Sequence, residues 1–120
     1  GTPAGAFYAA YARIFRDTGR DIVLRGAPCL VVTHAAAENP MAAGNTYDII
    51  AYAELYATAL GLGTCWAGFV GMAAAANWQP LLKVLQLPAG RIATGGFMLG
   101  YPQFTYHRLV DRAPLQVAWR

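Results

Sequence analysis

The sequence of 120 residues contains no serine and a single lysine, Lys83, and only 12% of it is charged. Without serine no Ser-His-Asp triad can be assembled, and the only imidazoles are His34 and His107. A phosphate-cradling loop is also absent, since no Gly-Lys-Ser/Thr occurs. Globular domains average about 25% charged residues, so this deficit implies a surface covered by a partner chain, a cofactor or further sequence. Nine Lys plus Arg against six Asp plus Glu give a net charge of +3, but the basic residues are scattered from Arg13 to Arg120. With no basic run, a nucleic-acid partner is not expected. Nor is a membrane span: the most apolar stretch, 49–66, is broken by Glu54, and a span needs about 20 apolar residues. No basic segment leads into an apolar signal core, so secretion is not indicated and the cytoplasm is the expected location. The two cysteines, Cys29 and Cys65, lie outside any CxxC and near no histidine pair. They read as free, buried thiols of a reducing compartment.

What the chain does have is apolar content, 57% by residue type, enough for one core over residues 1–120. Tyr8, Tyr11, Ala12 and Phe15 fall at helical spacing over 7–16, with Gly19 as a stop. The run 27–34 (APCLVVTH) reads as a buried strand. Asn45 and Asp48 have the spacing of an N-cap and its reciprocal partner, opening a helix over 47–60 that Gly61 ends. That helix is apolar on nearly all faces and belongs inside. The Gly-punctuated stretch 63–70 (GTCWAGFV) predicts extended chain passing close to something flat or bulky. Helical pieces over 71–77 and 79–85 follow, Pro80 suiting a first turn, then a strand over 91–99 carrying a double glycine, and a last strand over 115–119. The alternation points to an α/β (α+β) fold, a mixed sheet with helices packed against it.

Gly61, Gly63 and Gly68 superficially imitate a dinucleotide-binding loop, but they end a helix instead of leaving a strand, and the third glycine comes two positions late. Among the six carboxylates only Glu54 lies in a strongly apolar helix beyond its capping residues. It is either a buried acid beside a cofactor or a paired helix residue bonded to arginine or backbone, and the second reading is favoured. Tyr47, Tyr52 and Tyr56 share its helix at helical intervals, suited equally to packing and to ring stacking.

Three separated blocks carry a resemblance: LGLGTCWAGF over 60–69, MLGYP over 98–102 with Tyr106, His107, Arg108 and Arg112 after it, and a terminal VAW over 117–119. Together, in this order over 25–120, they resemble the C-terminal half of a nitroreductase-family flavoprotein. The closest likeness is to the subset in which an iron–sulfur ferredoxin-like segment precedes the flavin domain. The resemblance implies a mixed sheet flanked by helices, an intertwined homodimer and FMN bound between the subunits. Thr64, Cys65, Trp66, Ala67 and Gly68 would line the isoalloxazine face, with the backbone N–H of Ala67 or Gly68 near flavin N5. A close backbone donor there requires a residue with little side chain. Arg108 would take the FMN phosphate, which a guanidinium can bind bidentately; His107 and Arg112 are secondary candidates. No residue is assigned acid–base catalysis and no metal site is expected.

The upstream Arg-Ser-x-Arg-like stretch of the family, and its basic residue near flavin N1 and O2, have no counterpart here. Arg13, Arg16 and Arg20 do not match the motif, and Lys83 lies in a helix expected to be remote from the ring. Gly1 is not a natural start residue, so a longer polypeptide is the expectation. The implied activity is an FMN-dependent oxidoreductase taking electrons from NAD(P)H or an iron–sulfur donor to a small electron-poor acceptor of nitroaromatic or quinone type. Trp66 and Phe69 would wall the substrate pocket. The alternative is a dimer-forming module without catalytic flavin binding. A third reading, a thiol redox protein, needs Cys29 and Cys65 close together.

Overall fold

A computed structural model describes residues 3–108 and 111–120, with side chains from residue 9 onward. Among the described residues four helices and three strands run in the order α1 (Pro3–Thr18), β1 (Cys29–Ala36), α2 (Ala42–Ala59), β2 (Gly63–Trp66), α3 (Gly68–Ala75), α4 (Gln79–Leu85) and β3 (Arg91–Gly100). The last strand in sequence is the middle one in space: the sheet order is β1-β3-β2, with both pairings antiparallel. The sheet is thus antiparallel throughout among the described residues.

The double glycine explains why β3 can take the centre. A Cβ on Gly95 would stand 2.8 Å from Thr46 Cγ2 of α2, and one on Gly96 would stand 2.5 Å from the Val31 carbonyl oxygen of β1. Real side chains never approach backbone oxygen so closely, so glycine here lets a helix and a neighbouring strand close on the same two residues. The register slips by one residue between Thr33 and His34, leaving Thr94 opposite no β1 partner. Its hydroxyl accepts a 2.5 Å hydrogen bond from Thr46 and donates one of 3.2 Å to Thr33. A chain of three threonines therefore ties α2, β3 and β1 across a buried spot, with Thr46 itself buried.

Side chains of paired strand residues share a face, so the register sorts the core. Phe97 pairs with Val31 and Trp66, on the face that α2 covers with Thr46 and Ile50. Met98 pairs with Leu30 and Cys65 on the other face, where it packs with Ala67 and Val70, and Leu24, Ala27, Val32 and Leu81 close around them. Ile50, at 0% exposure, is the largest fully buried side chain.

Helix ends follow local chemistry. Gly19 (φ +67°) and Gly61 (φ +74°) adopt the left-handed conformation expected of stops. At Gly61 the Gly61 N–H donates to the Thr58 carbonyl and the Leu62 N–H to the Ala57 carbonyl, both characteristic closing bonds. Asn77 (φ +55°) plays the same part after α3, its N–H donating to Ala74 and that of Trp78 to Ala73.

Several expectations are corrected. Helix α2 begins at Ala42, not Tyr47, and neither Asn45 nor Asp48 caps it; Asn39 starts it, its Oδ1 accepting the Met41 N–H at 2.9 Å and its carbonyl the Ala42 N–H at 3.2 Å. The extended run predicted over 63–70 stops at Trp66, because the Ala67 carbonyl accepts the N–H groups of Val70 and Gly71 and turns the chain into α3. The strand predicted over 115–119 is absent, and residues 111–120 carry no regular structure. Both cysteines are exposed rather than buried, since Cys29 opens its strand and Cys65 lies on an edge strand.

Helix α2 also corrects the expectation that it lies wholly inside. Ala42, Thr46, Ile50 and Ala57 are buried, yet Tyr52 is 79% exposed and Leu55 73%, with Ile49 and Tyr56 beside them. The chain exposes 9969 Å², whereas a monomer of 12.8 kDa exposes roughly 6,300 Å². Its radius of gyration, 17.3 Å, likewise exceeds the roughly 13.6 Å of a compact domain of this length. By both measures the chain is open on its own.

Candidate functional site

Edge strand β2 and the first turn of α3 form one continuous segment carrying Thr64, Cys65, Trp66, Ala67 and Gly68, and the pleat sends their side chains in different directions. Thr64 and Trp66 point toward α2, where Glu54 meets both. Its Oε1 accepts the Thr64 hydroxyl at 3.1 Å and its Oε2 accepts the Trp66 indole N–H at 2.7 Å. The Trp66 ring stacks on Tyr47, with centroids 5.5 Å apart and planes 19° from parallel. Glu54 is therefore a paired helix residue as favoured, although its partners are an indole and a hydroxyl, not arginine or backbone. Of the three tyrosines, Tyr47 stacks, while Tyr52 and Tyr56 face outward.

Ala67 is buried, and its N–H donates to the Gly96 carbonyl at 2.9 Å, extending the β2–β3 ladder by one bond. This donor is consequently engaged. Gly68 follows as the first residue of α3. A Cβ on it would meet nothing within 4 Å, so no packing within the described residues requires glycine at this point. Its N–H belongs to the first helical turn, whose donors have no earlier carbonyl to bond and carry the positive end of the helix dipole. Phe69 lies half-buried against Tyr11, ring centroids 5.6 Å apart, which directs it toward α1.

Cys65 points to the other face, into a cleft of about 320 Å³. The loop Leu24–Pro28 forms one wall of this cleft, and Tyr101–Phe104 another. The loop is held by Asp21, whose Oδ1 accepts the N–H groups of Val23 and Leu24 at 2.9 Å and whose Oδ2 accepts that of Gly26 at 3.3 Å. Partial burial pushes the Asp21 carboxyl upward, but the backbone N–H groups of Leu24, Gly26, Val23 and Arg25 outweigh it and hold the group below its ordinary value. This turn organiser has a sequence signal that went unread, an aspartate two and three residues before unpaired backbone donors.

The cysteines cannot pair. Cys29 is opposite Leu99 and Cys65 opposite Met98; adjacent β3 residues face opposite ways, so the thiols do too, with β3 between them. Two strand spacings separate them, about 10 Å, beyond disulfide reach. The thiol redox reading fails on this geometry.

Arg108 is exposed in the irregular segment after β3, and it lines neither the 320 Å³ cleft nor a 290 Å³ groove between Phe15, Asp21 and Phe69. His107 and Arg112 are likewise exposed. No group of three or more His, Cys, Asp or Glu among the described residues could hold a metal ion. Among the same residues no helix is long and apolar enough to cross a membrane.

An antiparallel sheet centred on its last strand thus carries a glycine-opened helix start beside an aromatic pair. The sequence profile of the nitroreductase family matches residues 3–101. The chain belongs to the nitroreductase family. Its fold is similar to the crystal structure of a nitroreductase with bound FMN from Bacteroides fragilis (TM-score 0.63, 22% identity, 95% of this chain and 65% of that one). It is also similar to a nitroreductase with bound FMN from Desulfitobacterium hafniense (TM-score 0.63, 26% identity, 87% of this chain and 56% of that one). A search of curated proteins gave no significant match. The chain thus spans less than two thirds of the length of either structure it resembles.

Proposed function

We propose that this chain is the C-terminal part of an FMN-dependent oxidoreductase whose flavin rests against the start of α3, with the Gly68 N–H as the donor toward the reactive edge of the ring. The observation that carries the proposal is the open glycine. Gly95 and Gly96 are explained by their own neighbours, whereas Gly68 opens onto space beside a first-turn donor. A flat ring lying there would use that space, and any larger side chain would obstruct it. The residues present fit such a group. The ladder bond from Ala67 to Gly96 fixes the backbone just ahead of Gly68, and Trp66, 40% exposed, provides an apolar wall beside it.

Bound FMN would supply the redox chemistry, accepting a hydride or electrons and passing them on. The chain's own part is to bind and orient: the Gly68 N–H presents a fixed dipole, Trp66 excludes water on one side, and Arg108 offers a guanidinium for the phosphate. NAD(P)H or an iron–sulfur protein as donor, and a nitroaromatic or quinone as acceptor, complete the proposed reaction. The wall assigned in the sequence to Phe69 falls to Trp66 alone, because Phe69 packs against Tyr11.

A homodimer is the assembly proposed. The exposed apolar face of α2 (Ile49, Tyr52, Leu55, Tyr56) and roughly 3,700 Å² of surface beyond that of a compact monomer support it. A standard interface buries about 1,600 Å² in total, well within that excess.

The test is flavin binding by wild-type and Gly68→Val proteins. Flavin fluorescence quenched on titration of the wild type, and an affinity at least tenfold weaker in the variant at unchanged thermal stability, is expected. Equal affinity in the two removes Gly68 from the site.

A further inference from the structure

We propose that Glu54 is a positioning residue: acting through Trp66, it holds a preformed aromatic wall at the edge of the ring site. The inference rests on the flavin reading above and adds to it a residue from a different element. Three contacts converge on one carboxyl group and one ring. Glu54 receives the Trp66 indole N–H at 2.7 Å and the Thr64 hydroxyl at 3.1 Å, and Tyr47 stacks on the indole at 5.5 Å.

Tyr47 and Glu54 are seven residues apart on one helix, two turns, so both project from one side of α2. Thr64 and Trp66 are two apart on a strand and share a face. The two spacings interlock, fixing strand and helix against each other at four side chains. A free tryptophan on an edge strand samples several rotamers; this one has its N–H and one ring face committed. Its remaining exposure, 40%, is the part available to a ligand. Only Ala67 separates Trp66 from Gly68, so their Cα atoms are within about 7 Å of each other. The wall and the open glycine are therefore neighbours along one segment.

A wall already in place avoids the entropy of ordering a rotamer-rich side chain when a ring docks. Packing alone would hold a tryptophan against α2 without a carboxyl group at Glu54's position. The bidentate reception of two donors is what sets the angle of the indole. The chemistry also separates two variants. In Glu54→Gln the amide oxygen can still accept the indole N–H while its NH₂ donates to the Thr64 hydroxyl, preserving both bonds with one reversed. Glu54→Leu preserves size and loses both.

The experiment follows the Trp66 indole N–H by ¹H–¹⁵N NMR in the full-length protein, identifying its signal by its disappearance in Trp66→Phe, and then titrates each folded variant with FMN. Expected are a solvent-protected indole proton in the wild type and in Glu54→Gln, and exchange at least tenfold faster in Glu54→Leu. The FMN dissociation constant should rise about tenfold in Glu54→Leu and less than threefold in Glu54→Gln. An unchanged indole signal in Glu54→Leu overturns the clamp. A freed indole with unchanged FMN affinity overturns its service to the site. Failure of Glu54→Gln to restore affinity, with its indole protected, overturns the hydrogen-bond basis. A wild-type protein whose indole is protected but which takes up no FMN contradicts the flavin reading itself, and the ligand side of this inference with it; the intact indole signal distinguishes that failure from the others.

Discussion

The two faces of helix α2 carry similar residues to opposite ends. The inner face meets the sheet through small or buried residues: Ala42, Thr46, Ile50 and Ala57, with Gly95 reduced to a hydrogen so that Thr46 can approach. The outer face carries Ile49, Tyr52, Leu55 and Tyr56, larger and equally apolar, in contact with little. Residues of the same chemistry are thus buried against the sheet on one side and exposed on the other. Apolar surface left in water forgoes about 25 cal/mol per Å², so a helix with two apolar faces makes sense when a second surface covers the outer one.

Breaking the inner face should cost most. Ile50→Ala is expected to destabilise by about 2–5 kcal/mol, a cavity at a fully buried site, read from urea unfolding. Gly96→Ala comes next, at about 1–3 kcal/mol, since its Cβ would stand 2.5 Å from the Val31 carbonyl oxygen and must displace a strand. Gly71→Ala, whose Cβ would meet only the Gly95 Cα at 4.0 Å, serves as the tolerated control. The outer face should behave oppositely: Tyr52→Glu with Leu55→Glu is expected to change the stability of the isolated fold by about 0.5 kcal/mol or less while converting a dimer to monomer in sedimentation. If that pair unfolds the protein instead, the contrast between the faces is false.

The smallest effect concerns Asp21. Its folded-state pKa is lowered, so its contribution is present above the unfolded value, 3.8, and is lost as pH falls through the folded value. The wild type should therefore exceed Asp21→Asn in stability at pH 6, with the difference shrinking as pH drops below about 4. A difference that grows toward acid would reverse the sign assigned to its backbone hydrogen bonds.

Legibility followed the range of the interaction. Gly19 and Gly61 were readable as stops because a left-handed residue is a local requirement, and the helix over Gln79–Leu85 was readable from Pro80. The double glycine marked β3 as unusual, but that it takes the centre of the sheet depends on pairings more than 30 residues apart, which no local pattern carries. The start of α2 was misplaced because Asn45 imitates a cap, whereas Asn39 makes the turn from the residue before Pro40. Cys29 and Cys65 looked buried from their apolar neighbours, yet edge and end positions in a sheet are set by topology. The site divides in the same way. Gly68 was named through the resemblance; the Glu54, Trp66 and Tyr47 cluster was not legible, because helical and strand periodicities each place half of it and only the fold brings the halves together. Arg108 was likewise named on resemblance alone.

The most direct measurement combines molar mass by light scattering with flavin absorbance on the purified full-length protein. The account predicts a dimer carrying one FMN per protomer, released in that ratio on denaturation. A colourless monomer that acquires no flavin bands when FMN is added would contradict it.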